Sequence, residues 1–122
     1  MIPLFGFFQV VGRPFAITIP MIQVIIRMKV LSEKRMELSQ ALASLIGSIR
    51  TDKGCNRCDF CQGVEDENRL FLLEEWDTEE NLMSHLKSGR FKVLRGAMNL
   101  LEEPYEMRFQ TGSHPAGMEE IS

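Results

Sequence analysis

The sequence predicts an α+β domain of β-α-β-β-α-β order, the split βαβ arrangement of ferredoxin-like folds. Three observations carry this. Residues 23–30 and 69–76 alternate apolar and polar positions with period two, as half-buried strands do. Two further stretches, beginning near Ser32 and Asp77, repeat their apolar residues at helical spacing. Gly54 and Pro104 then stand where those helical regions should stop.

In the first strand Val24, Ile26, Met28 and Val30 share one face, with Gln23, Ile25, Arg27 and Lys29 on the other. Ser32 occupies a predicted N-cap, followed by Glu33 near the positive helix end. Leu38, Leu42, Leu45, Ile46 and Ile49 form one apolar stripe, and Asp52-Lys53-Gly54 ends the helix. Residues 55–63 make a weaker strand, and residues 64–68 a polar turn.

Residues 69–76 make the strongest strand, with Leu70, Leu72, Glu74 and Trp76 on one face and Phe71, Leu73 and Glu75 on the other. Asp77 with Glu80 reads as a capping box for a helix bearing Leu82, Met83, His85 and Leu86. Ser88-Gly89 breaks it, and Phe91, Leu94, Met98 and Leu101 continue as a second helical piece. Tyr105, Met107 and Phe109 alternate as the last strand, and residues 111–122 read as a loose tail.

The chain of 122 residues fits one domain, at residues 21–110. A net charge of -3, with both signs interspersed, gives no basic face for nucleic acid. Residues 1–20 are apolar, but Pro3, Pro14, Pro20 and Arg13 interrupt them. They read as an upstream extension with Met21 the natural start, the alternative being a membrane-associating or partner-binding arm. They lack the uninterrupted run of a membrane span and the layout of a signal peptide. Three cysteines without a secretory context point to a reducing cytoplasm. A sheet with helices on one face leaves the other face open. The mixed surface around Ile25, Phe71 and Leu73 therefore predicts a symmetric homodimer.

The run Gly54-Cys55, then LLEEW at residues 72–76, then SHLKSGRF at residues 84–91, resembles the antibiotic biosynthesis monooxygenase (ABM) family. The marks are Glu74 and Trp76, His85 and Leu86, and Ser88 and Phe91, and the resemblance spans residues 21–110. It implies a dimeric α+β barrel with a pocket between sheet and helices. It also implies oxygenase chemistry on a small aromatic, quinol-like substrate, with dioxygen and no cofactor. Other members degrade haem, isomerise small phosphorylated compounds or have no known activity. The haem-degrading branch carries a His in the helix after the Phe and a Trp in the helix before it. Here those positions hold Arg95 and His85, so the axial ligand type is missing.

Within this frame His85 is the candidate catalytic residue. Its ordinary pKa of about 6.5 suits proton transfer at neutral pH. Trp76, Glu74, Phe91 and Leu72 are the candidate substrate contacts, and Trp76 also reads as packing. A carboxylate among Leu70, Leu72 and Trp76 must be paired if buried, and Arg27, Arg57 or Arg108 is the expected partner, across a dimer or within the chain. Cys55-x-x-Cys58-x-x-Cys61 lacks the fourth Cys and the Pro of an iron–sulfur run. Strand alternation places Cys58 opposite Cys55 and Cys61, so no metal site is expected. Two functional alternatives stand beside the oxygenase: a non-catalytic small-ligand or interaction module, and a metal- or redox-responsive protein built on the cysteines.

Overall fold

The computed structural model describes residues 18–115, and side chains from 21 to 112. Its strands and helices run in the order β1 Thr18–Lys29, α1 Ser32–Ile49, β2 Cys55–Gln62, β3 Arg69–Trp76, α2 Glu79–Leu86, α3 Gly89–Ala97 and β4 Glu106–Pro115. A 3₁₀ turn, Met98–Leu100, follows α3. The strands form one sheet in the order β2-β3-β1-β4, with β3 antiparallel to both β1 and β2. This is the predicted ferredoxin-like architecture, with the second helical segment split at Ser88. Residues Met21–Gly112 form one compact unit. Residues 1–17, on which the reading of an upstream extension mainly rests, lie outside the described residues. Among the described residues no helix is long and apolar enough to cross a membrane.

The alternation read from sequence holds on both central strands. Val24, Ile26, Met28, Val30, Leu70, Leu72 and Trp76 are buried, and they meet Leu38, Leu42, Ile46 and Ile49 of α1 in one core. Phe91 and Leu94 of α3 and Leu82 of α2 complete it. Each fully buried aliphatic side chain contributes about 1.5–3 kcal/mol, so this face fixes the register. On the opposite face Ile25 pairs with Leu73 and Arg27 with Phe71.

Several local expectations shift. Leu31, not Ser32, is the N-cap of α1, because the Ser32 hydroxyl instead accepts from the Asn68 amide at 2.9 Å. The cap of α2 is Thr78, whose hydroxyl accepts from the Asn81 backbone N–H at 3.1 Å. The Asp77 carboxylate takes the Asn81 side-chain amide at 2.8 Å, so no capping box forms with Glu80. Strand β1 begins at Thr18 rather than Gln23, and β4 continues past Thr111 to Pro115.

Gly54 behaves as predicted. Its φ of 85° lies in the left-handed region, and a Cβ there would sit 2.3 Å from Asp77 Oδ1. Its carbonyl accepts from the Asp77 backbone N–H at 2.9 Å, tying the turn after α1 to the end of β3.

Candidate active site

The end of β3 and the middle of α2 bring Glu74, Trp76 and His85 together in the core. Glu74 and Trp76 are two residues apart on one strand face, so both point at the helices. The Trp76 indole N–H donates to Glu74 Oε1 at 2.9 Å. His85 stacks on Trp76 with ring centroids 4.6 Å apart, and Phe91 meets the imidazole edge-on at 5.5 Å. The helix break makes the last contact possible. Ser88 donates to the His85 carbonyl at 2.6 Å and accepts from the Phe91 backbone N–H at 3.2 Å, so it ends α2 and starts α3.

The imidazole lies between two carboxylates. Nδ1 is 3.1 Å from Asp52 Oδ2, and Nε2 is 3.7 Å from Glu74 Oε1. The second distance is a charge contact, too long for a hydrogen bond, and Nε2 and Glu74 Oε2 are both buried without a hydrogen-bond partner. Burial works against a charged ring. The Glu74 carboxylate and then the Asp52 carboxylate outweigh it and hold the His85 pKa above its ordinary value. A neutral ring with its proton on Nδ1 would aim a lone pair at a carboxylate oxygen. That arrangement favours the uptake of a proton between Nε2 and Glu74.

Asp52 is the residue sequence reasoning missed. It reads as part of a helix stop, and nothing near it in sequence marks its contact with His85, 33 positions away. Its other oxygen accepts from the Arg90 guanidinium. The array thus runs from a surface arginine through Asp52 and His85 to Glu74 and Trp76.

The predicted partners of Glu74 do not reach it. Arg27 lies 3.7 Å from Glu106, Arg57 pairs with Asp59 and Glu75, and Arg108 bonds Glu106 at 2.8 Å. Their positions fall on the other sheet face or the far strand, so strand alternation excludes them. Arg95, at the position of the haem branch's histidine, lies over the Phe91 ring, 5.3 Å from its centroid.

The candidate contacts Trp76, Leu72 and Phe91 are packed within the core beside His85, and the His85 side chain has no exposed surface. Two cavities flank α2. A polar cleft of about 260 Å³ is bordered by Asp52, Lys53, Asn81, Ser84 and Ser88 with His85. An apolar cavity of about 310 Å³ is lined by Ile22, Leu82, Met83, Leu86 and Phe109, with Glu79 and Thr111 as its polar members.

The cysteines are arranged differently from the expectation. A bulge between Cys55 and Arg57 pairs Cys55 with Trp76 and Cys58 with Glu74, so these two thiols share the helix-facing side. Cys61 pairs with Phe71 and faces the other way. All three are free thiols, and burial, then the nearby Glu74, pushes the Cys58 pKa up to about 12. Three sulfurs divided between two faces cannot grip one ion. Among the described residues no group of three or more His, Cys, Asp or Glu side chains is placed to hold a metal.

Residues 21–97 match the antibiotic biosynthesis monooxygenase family. A conserved protein of Methanosarcina mazei Go1 is 28% identical, with 74% of this chain and 90% of its own covered and a TM-score of 0.71. A protein of Mycobacterium tuberculosis is 23% identical, with 84% and 99% covered and a TM-score of 0.70. An antibiotic biosynthesis monooxygenase of solved structure is 18% identical, with 73% and 95% covered and a TM-score of 0.68. The last two likenesses are of fold. No curated protein sequence matches the chain significantly.

Proposed function

The chain belongs to the antibiotic biosynthesis monooxygenase family, and from that premise we propose that it is a cofactor-independent monooxygenase of a small aromatic, quinol-like substrate. The observation that carries this reading is the imidazole of His85 held between Asp52 and Glu74 in a dry aromatic setting. An oxygenase without metal or flavin needs a substrate that becomes electron-rich on losing a proton. The His85–Glu74 pair is the group that takes that proton, and the imidazolium between two carboxylates then holds it. One balanced outcome converts a ring CH₂ beside a phenol to a carbonyl. The carbon supplies all four electrons, one oxygen atom enters the product, and the other leaves as water.

The apolar cavity beside α2 has the size for a small aromatic ligand. Leu82 and Leu86 line it and also pack on the core around Trp76, so they are the side chains that must yield for a phenolic oxygen to approach His85. The second substrate is dioxygen. The open sheet face around Ile25 and Leu73 supports a second copy of the chain as partner.

Oxygen-electrode assays on a panel of quinols and anthrones test the proposal. It expects uptake with at least one of them and loss of that uptake in His85→Ala. No uptake with any compound, or full activity in the variant, counts decisively against it. One observation favours a second reading, a non-catalytic ligand-binding module: the His85 ring is completely buried. Tight binding of a panel compound without turnover would select that reading.

A further inference from the structure

We propose that Asp52 is a positioning residue for His85, accepting the Nδ1 proton so that the imidazole is locked in one tautomer with Nε2 turned toward Glu74. The proposal builds on the reading of His85 as a proton acceptor. It is argued from how firmly the Asp52 carboxylate is itself held.

Asp52 sits in the turn after α1, and the backbone on both sides of it is fixed. Its own N–H donates to the Ile49 carbonyl at 3.0 Å, and its carbonyl accepts from the Cys55 N–H at 3.0 Å. The left-handed Gly54 and its bond to Asp77 anchor the same turn against β3. The two carboxylate oxygens have separate tasks, Oδ2 facing His85 Nδ1 and Oδ1 receiving the Arg90 guanidinium. A carboxylate with both oxygens engaged cannot rotate without losing a charge-assisted contact. At 14% exposure its side chain is nearly withdrawn from solvent, while Arg90 at 44% remains at the surface.

The consequence is chemical. An isolated neutral imidazole carries its proton on either nitrogen, and only the form with a free Nε2 accepts a proton on that side. Asp52 selects that form. The groups facing the ring from the other elements are Glu74 and Trp76 of β3 and Phe91 of α3, with Arg90 acting through Asp52. Lys53 and Glu80 border the polar cleft beside Asp52 and His85. No group other than Asp52 contacts Nδ1 among the described residues, so the selection depends on this one carboxylate.

Ring-nitrogen NMR of His85 tests the idea. The chain has only two histidines, so His85→Gln assigns the signal. In the wild type the neutral ring should carry its proton on Nδ1. In Asp52→Asn the proton should move to Nε2 and the titration midpoint should fall. With a panel substrate, Asp52→Asn should lower kcat by about 10²-fold with KM nearly unchanged, and should move the acid limb of the pH profile to lower pH. Asp52→Glu, which keeps the charge, should recover part of the loss. A wild-type neutral ring protonated on Nε2 overturns the proposal, and so does an Asp52→Asn ring with unchanged tautomer and midpoint. Should Asp52→Asn fail to fold, the wild-type spectrum alone decides. The spectra need no substrate. A ring locked on Nδ1 in a protein without oxygen uptake would keep Asp52 in its role and overturn only the monooxygenase reading.

Discussion

Glu74 and Glu75 are adjacent in β3 and chemically identical, yet the sheet sends them to opposite environments. Glu74 points at the helices, is buried, and meets Trp76 and His85. Glu75 points at the open face, keeps 20% of its side chain exposed, and meets Gln23 at 3.4 Å and Arg57 at 3.7 Å. The first carboxylate lies among buried apolar side chains, and among the described residues only His85 balances its charge. The second sits among polar partners that reach the surface, where water screens them. Position on a pleated strand, rather than residue type, decides which of the two meets Trp76 and His85.

Removing each carboxylate should expose the difference most strongly. Glu74→Ala leaves the Trp76 indole N–H and the His85 ring without their partner, and urea denaturation should show a loss of about 3–5 kcal/mol. The turn that delivers Asp52 to the same region comes next. Gly54→Ala forces a side chain into a left-handed residue against Asp77, and the same titration should show a loss of roughly 3 kcal/mol.

A pH series separates the two faces without breaking either. Because the folded His85 pKa is raised, the native state binds its proton more tightly than the unfolded chain. That contribution to stability is fully present below about pH 6.5, the ordinary histidine value, and is lost as pH rises through the higher folded value. Glu74→Gln should flatten this dependence, and Glu75→Gln should leave it intact, when unfolding free energy is measured from pH 5.5 upward. The smallest effect belongs to the open face. Glu75→Ala should change stability by no more than about 1 kcal/mol, and added salt should shrink the difference further.

How much of this was legible follows the range of the interactions. Alternation along residues 23–30 and 69–76 predicts the buried faces correctly, including Glu74 beside Trp76, because pleating is a local property. The apolar side of α2 likewise places His85 inward. The helix caps moved because side chains far away in sequence claimed the expected groups, as Asn68 does with Ser32. Cys55 turned to the Cys58 side because one bulge reverses the alternation, and no periodicity announces a bulge. Asp52 was invisible as a site residue for the same reason. Its contact with His85 exists only once the α1–β2 turn is folded against α2, and in sequence it marks only the end of a helix.

The account rests on a proton held at His85 between Asp52 and Glu74, and titrating the His85 ring by NMR in the wild-type protein tests this most directly. The predicted midpoint lies clearly above the ordinary histidine value of about 6.5 and falls in Glu74→Gln. A wild-type midpoint at or below that value would mean that burial outweighs the two carboxylates, and would contradict the account.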